Sequence, residues 1–181
     1  MTVFGVDSQT LVLIALLFVA RLGDIGSTWI ATPNLKLESN PVVRRFRWWY
    51  AWATLLIAFV PLLSAGVGIT LLVASLLVTS SNLSKGWLMR TLGEDGYLEL
   101  MRQVAVRSSL PIALTFMLAS AAAVGLLGWL ALWASGGGDN VVYWGATGIL
   151  IYAGAMAFYG TISTVRLFRS VRAFQPSEPQ S

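Results

Sequence analysis

The chain has 181 residues and a net charge of +4, yet only 11% of it is charged while 56% is hydrophobic, giving a mean hydropathy of +0.73. A soluble domain carries about 25% charged residues, so this composition excludes a water-soluble globular enzyme, a disordered tail and a collagen-like repeat, and makes lipid the main solvent. Cysteine and histidine are both absent, which excludes a disulfide framework, Cys/His zinc sites, His-ligated haem, a Ser-His-Asp triad and any Cys nucleophile.

No cofactor is expected from this inventory. Acid–base chemistry is left to eight carboxylates, five tyrosines and the two lysines Lys36 and Lys85. A pI near 9.9 would ordinarily raise nucleic acid as a partner. Here the basic residues sit in short segments beside apolar runs, the pattern of juxtamembrane anchors facing anionic lipid headgroups, so no nucleic-acid partner is expected.

The first apolar span covers residues 9–31, after Asp7-Ser8 as N-cap. At about 1.5 Å per residue it reaches about 34 Å, enough to cross a hydrocarbon core of about 30 Å. No Lys or Arg precedes it, unlike a cleaved signal peptide. Its second half reads Arg21-Leu22-Gly23-Asp24-Ile25-Gly26-Ser27-Thr28-Trp29. Arg21, Asp24 and Thr28 share one helical face at i, i+3 and i+7. An ionised side chain at mid-bilayer costs about 2.5–3.5 kcal/mol on insertion scales, so each needs a partner. Two readings follow: a self-neutralising Arg21–Asp24 pair that pins the helix in a bundle, or a polar site of Arg21, Asp24, Ser27 and Thr28.

Thr32-Pro33-Asn34 ends that helix, and Asn40-Pro41 starts the next, with Asn as N-cap and Pro at the first helical position. Glu38 adds negative charge near this helix start, or shares a site with Asp24. The segment 41–52 combines Arg44, Arg45 and Arg47 with Trp48, Trp49, Tyr50 and Trp52. Arginine with clustered tryptophan suits an interfacial helix at headgroup level, and the three arginines are candidates for binding lipid phosphate. Residues 53–78 are apolar, interrupted by Pro61, Gly66 and Gly68. They form either one Pro-kinked transmembrane helix or a re-entrant hairpin turning near Pro61–Gly68, whose arms fall short of the roughly 20 residues of a full crossing.

Residues 79–109 are the one long polar segment. Tyr97, Leu100, Met101 and Val104 recur at helical spacing, predicting an amphipathic helix over 95–107 that lies on the membrane or caps the bundle. Gly93-Glu94-Asp95-Gly96 is read as a turn rather than a metal site, since two adjacent carboxylates are too few ligands. Spans 110–134 and 141–165 follow, joined by Ser135-Gly136-Gly137-Gly138-Asp139-Asn140 and belted by Trp129, Trp133, Tyr143 and Trp144. Residues 175–181, rich in Pro, Ser and Gln, are expected to be disordered. The expectation is thus a single all-α integral membrane domain over 1–174, with four transmembrane helices and two short interfacial ones.

Asp24-x3-Thr28 on the first span, followed by Leu37-Glu38-Ser39-Asn40-Pro41 and a second apolar helix, resembles a family of small bacterial and archaeal membrane proteins of unknown function. Their hallmark is an Asp-x3-Thr helix followed by Glu-x-Asn-Pro. The likeness spans roughly residues 12–80, and implies that Asp24, Thr28, Glu38, Asn40 and Pro41 act as one unit. The chain departs from the pattern at Arg21, at Arg44-Arg45-Phe46-Arg47 and in its long polar segment.

Orientation follows the Lys and Arg count. Four crossings with both ends cytoplasmic put seven of these residues inside and four outside; a re-entrant 53–78 with an external N-terminus puts eleven inside and none outside. Either way the C-terminus is cytoplasmic, in a cell (inner) membrane. Three functions fit. The first is a non-enzymatic subunit packing with a protein partner or as a homo-oligomer. The second is a small transporter or channel-like oligomer built on Arg21, Asp24 and Thr28. The third is a lipid-active enzyme using Asp24 and Glu38.

Overall fold

The computed structural model describes residues 2–3, 6–36 and 41–174. Five helices carry the fold: α1 (Ser8–Ala31), α2 (Pro41–Ala53), α3 (Ala65–Arg107), α4 (Leu110–Ala134) and α5 (Val141–Phe174), with a 3-10 segment at Thr54–Leu62 between α2 and α3. Four of them, α1, α3, α4 and α5, are long and apolar enough to cross a membrane. A two-residue antiparallel pair, β1 (Thr2–Val3) with β2 (Val6–Asp7), precedes α1.

Helix α1 starts where the sequence places its cap. The Asp7 carboxylate accepts from the Thr10 amide at 2.9 Å and from the Thr10 hydroxyl at 2.6 Å. That hydroxyl holds the exposed Asp7 carboxyl below the usual carboxylate range. The helix stops at Thr32, whose N–H closes on the Thr28 carbonyl, because Pro33 disfavours a helical residue before it. Buried Leu35, at φ 58, then completes the turn, its N–H donating to the Thr32 carbonyl at 3.0 Å.

The spans stand in a row, α1 against α3, α3 against α5 and α5 against α4. Helix α3 runs parallel to α1. Leu13 lies beside Gly68, Arg21 beside Ser75, Gly23 beside Thr79, Thr28 beside Asn82 and Ile30 beside Gly86. Helix α5 is parallel to α3: the Thr70 hydroxyl donates to the Trp144 carbonyl at 2.9 Å, and Gly148 permits a close approach where a Cβ would stand 2.6 Å from the Thr70 carbonyl oxygen. Helix α4 is antiparallel to α5, with Gly125 beside Ala153 and Gly160 beside Met117. One face of the row, the near face, therefore holds Asp7, the turn at Leu63–Ser64 and the loop 135–140. The far face holds Thr32–Lys36, Gly93–Ser109 and the C-terminal end of α5.

Because α1 and α3 are parallel, the chain between them must return through the row. Trp48 donates from Nε1 to the Pro33 carbonyl at the far face, Thr54 bonds to Arg21 midway, and Pro61 packs on Gly68 near Leu13. Of the two paths left open for 53–78, a Pro-kinked helix and a hairpin, the chain takes the helical hairpin. Its turn falls inside Pro61–Gly68, and its arms extend beyond 53–78 on both sides. Two local causes set the break: Pro61 has no N–H to continue a helix, and Ser64, extended at φ -158, caps a new helix by accepting from the Val67 amide at 3.3 Å. A Cβ at Gly68 would lie 2.7 Å from the Pro61 ring, so glycine is what lets the two arms meet.

The remaining differences are smaller. Helix α2 forms as expected, but it bends at Arg47 (φ 52) and its second half descends along α1 instead of continuing its first. Helix α3 breaks at Gly93 (φ 68, ψ 169), a conformation essentially confined to glycine, and the arm 94–107 that follows is helical. Tyr97, Leu100 and Met101 of its expected apolar face are half-buried, while at the end of the arm Ala105 is buried and Val104 exposed. Helix α5 continues to Phe174, beyond the expected end at 165. The tail 175–181 lies outside the described residues.

Candidate functional site

The intramembrane ions meet at the crossing of three segments. Arg21 donates from Nη1 to Asp24 Oδ2 at 2.5 Å, one turn along α1, and from Nη2 to Thr54 Oγ1 at 2.6 Å on the 3-10 segment. A longer contact of 3.4 Å joins Nη1 to Ser75 Oγ on α3. The Thr54 hydroxyl is itself aligned by donating to the Ala51 carbonyl at 2.5 Å. Both members of the ion pair are 16% exposed. In such surroundings a charge-assisted bond is stronger than at a wet surface, and an unpaired ion is far costlier.

Ser27 and Thr28 belong to the same polar seam but not to the ion pair. Asn82 on α3 donates from Nδ2 to Thr28 Oγ1 at 3.1 Å and to Ser27 Oγ at 3.3 Å, while the Ser27 hydroxyl donates to the Asp24 carbonyl at 3.0 Å. Thr79, whose hydroxyl donates to the Ser75 carbonyl, packs beside Gly23. The α1–α3 interface thus carries Arg21, Asp24, Ser27 and Thr28 opposite Ser75, Thr79 and Asn82. The sequence reading missed the α3 half and Thr54. The signal was present: Ser75, Thr79 and Asn82 recur at i, i+4 and i+7 inside an apolar run, one polar face matching that of α1.

At the far face a second polar cluster joins the end of α1 to the break in α3. Glu94 is 7% exposed, and its Oε1 accepts from the Thr32 hydroxyl at 2.7 Å and from the Asn34 amide at 2.8 Å. Its Oε2 has no hydrogen-bond partner among the described residues. Its neighbour Asp95 points outward and accepts from Lys36 Nζ at 2.8 Å with both oxygens, which raises the Lys36 pKa above its ordinary value. The two adjacent carboxylates therefore diverge, and among the described residues no three acidic side chains cluster as a metal site would require. Gly93 made Glu94 reachable, and a glycine flanking a carboxylate in the middle of a long helical segment was its sequence signal.

The other expected site residues do not join these clusters. Glu38 and Asn40 lie outside the described residues, and Pro41 is the first residue of α2. Arg44 lies on α2, while Arg45 and Arg47 are exposed there, Arg45 with its guanidinium carbon 5.9 Å from the Phe46 ring centre. Two cavities lie beside these clusters among the described residues. One of about 320 Å³ is lined by Leu22, Ile25, Gly26, Trp29, Trp48 and Trp52, between α1 and α2. The other, of about 400 Å³, lies at the far face over Ile30, Lys36, Met89, Arg90 and Glu94. Neither is lined by Arg21 or Asp24. Comparison of the chain with protein-family models, curated proteins and solved structures found no match.

Proposed function

We propose that this is a small polytopic protein of the cell (inner) membrane that performs no chemistry of its own and packs as a subunit of a membrane complex or as a homo-oligomer. The observation that carries this reading is where the intramembrane ions go. Arg21 binds Asp24, Thr54 and Ser75, and so clamps α1, the 3-10 segment and α3 together, and neither ion lines either of the two cavities described. An outer helix supports it: α4 packs on α5 alone to any extent, leaving Ala119, Ala122 and Ala123 exposed on one face where a second helix can approach closely.

The same geometry supports an orientation. Every Lys and Arg except Arg21 belongs to a segment at the far face, eleven in all, and the near face carries Asp7 and Asp139. The positive-inside rule then puts the far face and the C-terminus in the cytoplasm and the N-terminus outside. In this arrangement residues 48–62 are a fifth crossing. Nine residues of 3-10 helix at about 2.0 Å each, with six α-helical residues at about 1.5 Å, reach about 27 Å. In this reading the start of α2 and the arm 94–107 lie at headgroup level, the former offering the exposed Arg45 and Arg47 to anionic lipid.

Purification from the native host in mild detergent, followed by native mass spectrometry, tests the reading. A stoichiometric second protein or a defined homo-oligomer is expected; a monomer that retains no partner at any detergent concentration refutes it. A second reading, a small transporter, is favoured by the polar seam from Arg21 to Asn82 between α1 and α3. It requires that Asp24→Asn abolish substrate movement while assembly survives, whereas the packing reading expects assembly itself to fail.

A further inference from the structure

We propose that the cavity between α1 and the descending half of α2 holds one acyl chain of an anionic phospholipid, with the lipid phosphate against Arg45 and Arg47. The inference deepens the placement of the start of α2 at headgroup level, and rests on it. The cavity is walled by Leu22, Ile25, Gly26 and three tryptophans, Trp29, Trp48 and Trp52, with no charged side chain among them. A charged group would find no counter-ion on these walls, whereas a hydrocarbon chain needs none. At about 320 Å³ the cavity falls within the roughly 300–1,000 Å³ of small-molecule sites.

Gly26 makes the room. A Cβ there would meet nothing within 4 Å beyond its own turn of helix, so this glycine, unlike Gly68 and Gly148, does not serve to let two segments touch. Trp48 is held by its Nε1 bond to the Pro33 carbonyl at 3.1 Å, so that wall is fixed by the chain itself. The depth is that of acyl chains. With the midpoint of α1, between Val19 and Ala20, as the mid-plane and about 1.5 Å per residue, Leu22 to Trp29 lie about 4–14 Å out, inside the roughly 15 Å half-thickness of the hydrocarbon core. Pro33, to which Trp48 is tied, comes out at about 20 Å, in the headgroup layer.

Positive charge stands at that upper end. Arg47 directly precedes Trp48, about 3.8 Å away between Cα atoms, and its backbone, at φ 52, is the bend that turns α2 down along α1. Arg45 and Arg47 are exposed, and among the described residues neither forms an ion pair. Helix α2 carries no acidic residue to answer them. A guanidinium matches phosphate oxygens with a planar fork, while its apolar stem can stay at chain level. A molecule with an anion in the headgroup layer and a hydrocarbon chain directly beneath it satisfies both ends at once. A free anion satisfies only the arginines, and an uncharged lipid only the tryptophans.

The test measures lipid retention on the purified full chain by native mass spectrometry, with phosphatidylglycerol and phosphatidylcholine of one acyl composition. Phosphatidylglycerol is expected to be retained about tenfold better. Gly26→Leu fills the cavity and should lower that retention about tenfold without lowering thermal stability. Gly154→Leu also enters open space, but on α5 away from the cavity, and should leave retention unchanged. The double variant Arg45→Gln/Arg47→Gln should bring the two lipids within about twofold of each other. Equal retention of the two lipids by the unaltered chain overturns the proposal, whatever the variants do. So does undiminished retention by Gly26→Leu: with the arginine effect intact, surface charge alone holds the lipid and the headgroup placement stands, and with that effect also absent, both fall. If Gly26→Leu releases a second copy of the chain in place of lipid, the cavity seats protein and the proposal is likewise overturned.

Discussion

Replacing Asp24 by Asn keeps the shape of the mid-membrane cluster and removes one charge. Arg21 then retains Thr54 at 2.6 Å and Ser75 at 3.4 Å but loses the carboxylate at 2.5 Å. Breaking a buried pair by removing one partner costs about 3–5 kcal/mol, because the other charge stays buried. The two hydroxyls remain, and the asparagine carbonyl can still accept one bond of about 1 kcal/mol. The expected loss is therefore about 2–4 kcal/mol. The double variant Arg21→Met/Asp24→Leu removes both charges and fills similar volume, so it should lie within about 1 kcal/mol of the parent. Reversible unfolding in mixed micelles, read by tryptophan fluorescence, measures both. If the double variant is as unstable as Asp24→Asn, or if Asp24→Asn costs under about 0.5 kcal/mol, the cluster is not an ion clamp.

Gly148→Val should destabilise by about 1–3 kcal/mol, since the new side chain meets the Thr70 carbonyl and Val73, whereas Gly154→Ala, with open space around it, should be neutral in the same unfolding assay. Single cysteines in this Cys-free chain test the orientation. Ser8→Cys and Ser135→Cys should react with an impermeant maleimide on intact cells, and Lys36→Cys and Ser108→Cys only after permeabilisation; labelling of Lys36→Cys but not Ser108→Cys from outside would restore four crossings. Gly93→Ala should lower thermal stability and detach Glu94 from Thr32 and Asn34, because φ 68 with ψ 169 strains any residue bearing a Cβ. The Lys36–Asp95 pair raises the lysine pKa on folding, so its contribution is present below the ordinary value of 10.5 and fades as pH rises through the higher folded value. Lys36→Gln should thus differ slightly from the parent at pH 7, and the two should converge in alkaline unfolding measurements above that range.

Composition and periodicity alone determined that the chain is helical and lipid-solvated, because apolar runs of bilayer length leave the backbone no other way to satisfy its hydrogen bonds. They also placed the Arg21–Asp24 pair, since i, i+3 spacing is local geometry, and the α4–α5 hairpin, since a glycine turn between aromatic belts is equally local. What joins Arg21 to Thr54 and Ser75, 33 and 54 residues away, is not local, and only the parallel packing of α1 on α3 decided it. The path of residues 53–78 stayed open between two alternatives for a related reason. Each arm was counted as too short at the α-helical rise and only within the apolar run, whereas the chain recruits Trp48–Ala53 from the aromatic segment and stretches the remainder into 3-10 helix. Glu94 looked like half of a surface turn until Gly93 swung it under the end of α1. Its burial depends on where another helix ends, a property of the packed bundle that the residues around Glu94 do not encode.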